Sequence, residues 1–159
     1  MIIVLEGPDL AGKSTLAAVL ADKLKPARIV ANGPPPSKDL LAHYLGQVAD
    51  AARSDVSVVF DRLHVGELIY GPFLRGQSLI DEDQFLEIER RLDESRAVKV
   101  HVDAPDSLLL LRLGERGDDL LKDAESLTSI AHEYRSVLSV RRETVPWIRW
   151  AVGDPLPVP

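Results

Sequence analysis

The 159-residue sequence predicts an α/β fold in which a five-stranded parallel sheet carries helices on both faces. Five short apolar runs are separated by segments whose apolar residues recur at helical spacing. The runs do not alternate between apolar and polar residues, which is typical of strands covered on both faces. The predicted strands are Ile2–Leu5, Arg28–Ala31, Val56–Phe60, Val98–Val102 and Trp147–Val152.

Amphipathic helices are predicted between these strands. The first follows Ser14 and stops before Pro26, because proline cannot continue a helix. The second begins after Ser37, a residue type that caps helices, and the third follows acidic residues at 81–83, which suit the positive end of a helix. The apolar stripes lie in residues 16–24, 40–52, 85–92, 108–113 and 127–138.

This pattern predicts one domain over residues 1–153, followed by an extended tail at 154–159 that contains three prolines. The net charge of −6, from 19 basic and 25 acidic residues, argues against broad electrostatic binding to nucleic acid. The sequence has no cysteine, which excludes disulfides and thiolate metal sites. We find no apolar run of membrane-spanning length and no secretion signal, and therefore expect a cytoplasmic protein without a membrane partner.

Residues 7–14 read Gly-Pro-Asp-Leu-Ala-Gly-Lys-Ser and match the phosphate-loop pattern G-x-x-x-x-G-K-[ST]. Gly7 and Gly12 allow backbone N–H groups to turn inward onto phosphate oxygens. Lys13 adds a charge that reaches the β- and γ-phosphates, and the Ser14 hydroxyl is a ligand for Mg²⁺. Because the motif joins a predicted strand to a predicted helix, we expect the three-layer P-loop NTPase fold with ATP and Mg²⁺ as cofactors. The expected cofactor-binding set is completed by Leu10, Ala11, Thr15 and Arg112.

Other P-loop classes need motifs that this sequence lacks. A GTPase would read guanine through N-K-x-D, which does not occur. A motor ATPase usually carries a glutamate beside its metal-binding aspartate, whereas Arg62 follows Asp61. These observations favour a kinase.

A second polar segment begins with Asp61 and Arg62 at the carboxyl end of the third predicted strand. In an open α/β sheet, this edge is where ligands bind. Asp61 can hold Mg²⁺ through its water shell, and Arg62 can bind a second phosphate through two parallel hydrogen bonds. A surface ion pair is the alternative for Arg62. The neighbouring phosphate loop favours the phosphate-binding interpretation.

Together these motifs resemble those of the thymidylate kinases and of the wider nucleoside and nucleoside-monophosphate kinase group. The resemblance spans about Met1 to Tyr134. Its elements in chain order are Leu5–Thr15, Asp61–Arg62, Tyr70, Val100–Pro105, Arg112, Arg116 and Tyr134. It implies phosphoryl transfer between nucleotides, and a homodimer formed through the third predicted helix.

Several positions depart from the pattern of that group. Gly66 stands where the group has serine, and Leu10 replaces a glycine or arginine of the loop. The arginine that reads the thymine edge in that group has no clear counterpart between the second and third predicted strands. Glu67 and the segment 71–76 resemble instead kinase-like proteins of bacteriophages.

The resemblance also implies an acceptor site. Asp9 is expected to orient the acceptor and Arg62 to hold its phosphate, with Arg75 as a second grip. Tyr70 is expected to stack on or border the acceptor base or sugar, with an ordinary half-buried tyrosine as the alternative. Glu67 belongs to the same expected set.

A lid is expected at about residues 112–125. Arg112 and Arg116 flank Gly114, so the segment could swing and bring guanidinium charge over the transferring phosphoryl group. Because Leu10 leaves the phosphate loop without an arginine, the lid is the expected source of this charge. Solvated helix-end charges are the alternative for both arginines.

Three functions remain open from the sequence. The first is a kinase that transfers the ATP γ-phosphate to a deoxynucleoside monophosphate such as dTMP. The second is a nucleoside kinase, or a phage-type kinase acting on a modified base in DNA. The third is an NTP-binding regulator without kinase activity. Arg62 and Asp9 favour catalysis, because a sensor has no need of an acceptor grip.

The remaining polar and aromatic residues give weaker signals. The four histidines are scattered and predict no zinc site. His101 is expected to be a hydrogen-bonded core residue, and Trp150 to be a packing residue. The turn Gly153–Pro155 lies where related folds place adenine, an expectation that rests on analogy of fold.

Overall fold

Strands and helices alternate through most of the chain in the computed structural model, which describes residues 1–34, 39–116, 123–140 and 145–158. The strands are β1 (Ile2–Glu6), β2 (Ala27–Ala31), β3 (Ser57–Asp61), β4 (Val98–Asp103) and β5 (Ile148–Ala151). The helices are α1 (Lys13–Lys23), α2 (Leu40–Ala52), α3 (Val65–Arg75), α4 (Glu82–Glu94), α5 (Asp106–Arg116) and α6 (Ala124–Val140).

The five strands form one parallel sheet in the order β2-β3-β1-β4-β5. Strand β1 is buried along its whole length, as a central strand covered on both faces must be. The edge strands β2 and β5 are more exposed. The predicted α/β fold class, with helices on both faces of the sheet, is confirmed.

The strand register brings the ends of the central strands together. Leu5 pairs with Asp61 of β3, and Glu6 pairs with His101 of β4. The phosphate loop leaves the end of β1, so it emerges directly beside Asp61. This edge of the sheet therefore carries both polar segments that the sequence analysis singled out.

Two helix starts differ in how well the sequence predicted them. Helix α2 is capped by Asp39, whose carboxylate accepts a hydrogen bond from Ala42 N at 3.1 Å, and not by Ser37, which lies outside the described residues. Helix α4 begins as predicted behind Asp81, whose side chain forms a capping box with Gln84.

Helix α3 was not predicted. It contains Gly66, Gly71 and Pro72, residues that lower helix propensity, and it ends at Gly76 in the left-handed region with φ 77°. Tertiary packing outweighs propensity here, because Val65, Ile69 and Tyr70 are buried against the core.

The predicted lid and tail are described in part. Helix α5 continues through Gly114 to Arg116, so the first residues of the predicted lid are helical. Residues 117–122 and the Arg116 side chain lie outside the described part of the chain. In the tail, Val158 is buried against the core. No helix in the described ranges is long and apolar enough to cross a membrane.

Candidate functional site

The phosphate loop turns tightly between β1 and α1. Gly7 has φ 153°, and a Cβ at this position would lie 2.1 Å from the Val102 carbonyl oxygen of β4. Gly12 caps α1 in the left-handed region with φ 102°, and Leu10 is also left-handed with φ 62°. Gly7 is therefore required for the close approach of the loop to β4.

Lys13 and Ser14 open helix α1 at the expected places. The Lys13 ammonium is almost fully buried and donates a hydrogen bond to the Pro8 carbonyl oxygen at 2.6 Å. The Ser14 hydroxyl donates to Asp61 Oδ2 at 2.5 Å. Hydroxyl and carboxylate oxygens are the donors that Mg²⁺ prefers, so this pair fits the expected metal.

A cleft of about 530 Å³ lies over the phosphate loop. Its walls include residues predicted from the sequence, namely Asp9, Leu10, Gly12, Lys13, Ser14, Thr15, Asp61, Arg62 and Arg112. Ala11 is fully buried and Gly7 is covered by Val102, so these two shape the loop from behind. The cleft is large enough for the phosphate-bearing part of a nucleotide and is the candidate donor site.

Arg112 of α5 reaches this cleft. Its Nη1 donates to the Leu10 carbonyl oxygen at 2.6 Å and lies close to Gly12. Its guanidinium therefore contacts the phosphate loop at Leu10, the position at which the loop itself lacks an arginine. The position of the Arg116 side chain stays a prediction.

Trp150 and Val152, at the carboxyl end of β5, were not predicted as cleft residues. Both line the wall of the cleft, and Trp150 also packs against the core, as expected. The indole Nε1 donates to the Pro155 carbonyl oxygen at 2.9 Å, which ties Trp150 to the turn where adenine is expected. The missed signal is that β5 ends at the same edge of the sheet as β1 and β3.

Asp9, Arg62 and Tyr70 meet at one point, as the resemblance implied. The Arg62 guanidinium forms an ion pair with Asp9 Oδ1. The Tyr70 hydroxyl donates to Asp9 Oδ2 at 2.7 Å, and the Arg62 guanidinium lies over the Tyr70 ring, 5.5 Å from its centre. The carboxylate thus holds both a cation and a phenol at the rim of the donor cleft.

A second cavity of about 150 Å³ continues from this cluster. It shares Asn32, Gly33 and Arg62 with the donor cleft, so the two spaces adjoin along one wall. Its other lining residues are Pro34, Tyr44, Leu63, Gly66, Glu67, Tyr70, Leu74 and Arg75. It is the candidate acceptor site.

Glu67 and Arg75 lie at this acceptor cavity as an ion pair. Glu67 is buried and accepts a further hydrogen bond from Leu79 N at 2.8 Å. A Cβ at Gly71 would lie 2.7 Å from Glu67 Oε1, so this glycine leaves room for the carboxylate. Arg75 is thus held by Glu67, as Arg62 is held by Asp9.

Tyr44 forms another wall of the acceptor cavity. Burial raises the pKa of its phenol, and the charges of Glu6 and Glu67 raise it further. The phenol therefore stays neutral and can donate a hydrogen bond to a ligand.

Asn32 was missed by the sequence analysis although it lines both cavities. Its amide donates to the Arg62 carbonyl oxygen at 2.9 Å and exchanges hydrogen bonds with the Gln47 amide. No motif marks it, because its partners are distant in sequence.

His101 differs from its expected role. It is buried and stacks on Tyr134, with ring centres 6.1 Å apart, but its Nε2 has no hydrogen-bond partner among the described residues. Burial lowers its pKa to about 4, with a further contribution from Arg149, although Asp103 opposes the shift. The expectation of a hydrogen-bonded core residue is therefore wrong for this atom. Within the described ranges, no three histidine or acidic side chains form a metal-binding group.

Comparison with known proteins finds a relative in Bacillus subtilis. No family model matches this chain. The SPbeta prophage-derived protein YorR of Bacillus subtilis (strain 168) is 31% identical over 141 residues, which cover 87% of this chain and 82% of that protein. The chain belongs to the YorR family.

Solved structures agree with this assignment of the YorR-family chain. The crystal structure of Bacillus subtilis YorR in complex with phosphorylated GDP matches with a TM-score of 0.75 and 29% identity, over 97% of this chain and 87% of that one. Deoxyadenosine kinase from M. mycoides with bound dATP matches with a TM-score of 0.63 and 16% identity, over 98% and 93%.

Polyphosphate Kinase 2 from Arthrobacter aurescens TC1 matches with a TM-score of 0.65 and 20% identity, over 93% of this chain and 59% of that one. These likenesses confirm a P-loop kinase-like fold for this YorR-family member. The preference for thymidylate stays a prediction.

Proposed function

We propose that this YorR-family protein is a nucleotide kinase that transfers the terminal phosphoryl group of ATP to a deoxynucleoside monophosphate. One observation carries the proposal. The cleft over the phosphate loop adjoins a second cavity, and Arg62 lies in the wall that they share. An NTP-binding regulator would need the first space only.

The donor half of the site uses the phosphate loop. The loop amides and Lys13 bind the donor phosphates, and Lys13 exchanges its contact with the Pro8 carbonyl for phosphate oxygen. Ser14 and Asp61 would hold Mg²⁺, which would supply positive charge to the donor phosphates. Arg112, which already rests on the loop, stabilises charge on the transferring group.

The acceptor half positions the incoming phosphate. Phosphoryl transfer demands little covalent chemistry from the protein, so placement and charge neutralisation carry catalysis. Arg62 binds the acceptor phosphate at the common wall. Asp9 orients Arg62 and Tyr70 through its two carboxylate oxygens. The apolar and aromatic walls of the second cavity then surround the base or sugar.

The Bacillus subtilis relative supports a nucleotide as the ligand, since YorR was crystallised with phosphorylated GDP. Guanine nucleotides are therefore tested on both sides of the reaction, as donors and as acceptors. The lid role of Arg116 and a homodimer are kept as parts of this proposal, but Phe85, Ile88 and Leu92 of α4 are buried in the core and cannot form the interface.

The test follows labelled γ-phosphate from ATP or GTP, in the presence of Mg²⁺, to monophosphates, nucleosides and short DNA. Label on a monophosphate is the expected result. Label on nucleosides or DNA instead would show that these, and not monophosphates, are the acceptors. Nucleotide that binds but persists unchanged would show that the protein is a regulator and not a kinase.

The variant Arg62→Ala separates the two halves of the site. We expect a loss of about 100-fold in kcat/KM for the acceptor, because a charged phosphate contact disappears, with the KM for ATP within about twofold of the parent. Arg53→Ala is the matched control, since Arg53 forms an exposed ion pair with Asp50 at the end of α2. Equal kinetics for the two variants would contradict the role of Arg62.

A further inference from the structure

Arg62, the residue proposed to bind the acceptor phosphate, has a strained backbone conformation. Its φ of 69° lies in the left-handed region, which a residue with a Cβ adopts only where the surroundings enforce it. Arginine has no local hydrogen bond of the kind that lets asparagine or aspartate adopt this region. The groups that hold residue 62 in place are therefore part of how the site works.

We propose that Glu6 and Asn32 are positioning residues that hold Arg62 in this conformation and thereby aim its guanidinium at the acceptor phosphate. The inference rests on the proposed function, and it adds two residues that contribute by positioning Arg62.

Glu6 and Asn32 hold residue 62 from two sides, and we call them the two arms of the Arg62 clamp. Glu6 is the first arm. It ends β1 and is fully buried. Its Oε1 accepts hydrogen bonds from Leu63 N at 2.8 Å and from Val65 N at 3.0 Å. A buried carboxylate is costly unless its oxygens are hydrogen-bonded, so Glu6 strongly favours the one turn geometry that presents both amides to it.

The same carboxylate connects this turn to helix α6. Glu6 Oε2 accepts a hydrogen bond from the buried Tyr134 hydroxyl at 3.2 Å. A Cβ at Gly66 would lie 3.2 Å from that hydroxyl oxygen, tighter than ordinary contact. The glycine that departs from the thymidylate kinase pattern thus leaves room for the Glu6–Tyr134 contact.

Asn32 forms the second arm, from the opposite side. Its side-chain amide donates to the Arg62 carbonyl oxygen at 2.9 Å, and its backbone N donates to the Asp61 carbonyl oxygen at 3.0 Å. Gln47 of α2 holds the Asn32 side chain, since Gln47 Nε2 donates to Asn32 Oδ1 at 2.8 Å. Asn32 therefore binds the carbonyl and Glu6 the N–H of the peptide group between residues 62 and 63, and Glu6 also binds the Val65 N–H.

Release of either arm lets residue 62 relax to an ordinary backbone conformation. The guanidinium would then leave Asp9 and Tyr70, because the direction of a side chain follows its backbone dihedrals. A change far from the reacting atoms that misplaces a substrate-binding group by about 1 Å can lower a rate by about 10²-fold. The donor site has its own contacts and should be unaffected.

The experiment compares Glu6→Ala with Glu6→Gln in the phosphoryl-transfer assay. Glu6→Ala leaves two amides without an acceptor, and we expect the acceptor KM to rise and kcat to fall, each by about tenfold, while the KM for ATP changes by less than about twofold. Glu6→Gln keeps a carbonyl oxygen for the two amides and an NH₂ group for the Tyr134 oxygen, and should recover most of the loss.

Asp81→Ala is the matched control for simple destabilisation, because it also removes a carboxylate that caps a helix, but at α4. Kinetic constants of Glu6→Ala that match those of Asp81→Ala would overturn the inference. If Glu6→Ala does not fold, Gln47→Ala carries the same test, because Gln47 holds the Asn32 side chain and lines neither cavity, and the same split between acceptor and donor constants is expected.

A second measurement keeps this inference separate from the proposed function. If the parent protein transfers no phosphoryl group, the proposed function fails, and the clamp is judged by hydrogen exchange at the Leu63 and Val65 amides. We expect faster exchange at these amides in Glu6→Ala than in Asp81→Ala. Equal exchange in the two variants would overturn the clamp whatever the activity of the parent.

Discussion

Gly7 shows how one residue makes the phosphate loop. Its φ of 153° is tolerated by glycine, and a Cβ would collide with the Val102 carbonyl oxygen at 2.1 Å. We expect Gly7→Ala to lower the free energy of unfolding by about 2 kcal/mol or more and to abolish nucleotide binding. Urea denaturation and ATP titration are the measurements.

Gly46 supplies the opposite case within the same chain. It is an exposed residue in the middle of α2, and a Cβ there meets nothing within 4 Å. Gly46→Ala should therefore raise the free energy of unfolding by about 0.5–1 kcal/mol, because alanine loses less backbone entropy in a helix. Destabilisation of similar size in both variants would show that the crowding at Gly7 is not the cause.

At the scale of single residues, the sequence predicted the groups that a motif contains. Lys13, Ser14 and Asp61 could be placed because their spacing follows from phosphate and metal chemistry. Asn32 and Glu6 could not be placed, because their roles depend on which backbone groups the fold brings to them from 30 or more residues away. Hydrogen-bond partners of that kind leave no local pattern in a sequence.

At the scale of elements, α4 is joined to β4 by buried charges. Lys99 of β4 donates to Glu89 at 2.8 Å and to Asp93 at 2.6 Å, and Glu89 also bonds the buried His64 at 2.9 Å. Burial opposes ionisation of Glu89, but the contacts with His64 and Lys99 outweigh it, and its pKa is lowered. Glu89 thus stays ionised between a histidine that precedes α3 and a strand lysine.

Removing the lysine should be costly because it leaves a buried carboxylate with one fewer partner. We expect Lys99→Met to lower the free energy of unfolding by about 3 kcal/mol. Lys25→Met is the control, since its ion pair with Asp22 is exposed and should contribute less than about 1 kcal/mol. Denaturant unfolding of both variants is the measurement, and equal losses would show that the buried network contributes no more than a surface pair.

Helix α3 marks the limit of prediction for elements. Its two glycines and its proline obscure the helical pattern, and the segment was interpreted only as a polar segment at the edge of the sheet. The helix exists because its apolar residues pack on the core and Glu6 binds the amides at its start. Periodicity predicts a helix where the chain carries its own signal, and not where the rest of the fold stabilises it.

For the whole molecule, the α/β class followed from five apolar runs and their alternation with helices, but the strand order did not. The central position of β1 brings the phosphate loop between the ends of β3 and β4. That placement puts Asp61 beside Ser14 on one side and His101 next to Glu6 on the other. The same register that builds the site also buries a histidine in the centre of the sheet.

This buried histidine should make the stability of the whole fold sensitive to acid. The pKa of His101 is about 4 in the folded chain against 6.5 for a free histidine, because burial disfavours its charged form. Between these values the unfolded chain binds a proton that the folded chain does not, so stability falls as the pH is lowered from about 6.5 to 4. The expected loss from this residue is about 3 kcal/mol.

The variant His101→Phe tests this expectation because it keeps a ring against Tyr134 and removes the titration. Free energies of unfolding are measured from pH 7 to pH 4 for the parent and for this variant, with His43→Gln, at a half-exposed position of α2, as the control. We expect the curve of His101→Phe to be flatter than that of the parent by about 3 kcal/mol over this range, and the control to follow the parent. Parallel curves for the parent and His101→Phe would mean that His101 takes up its proton without unfolding, and that other groups cause the acid sensitivity of the fold.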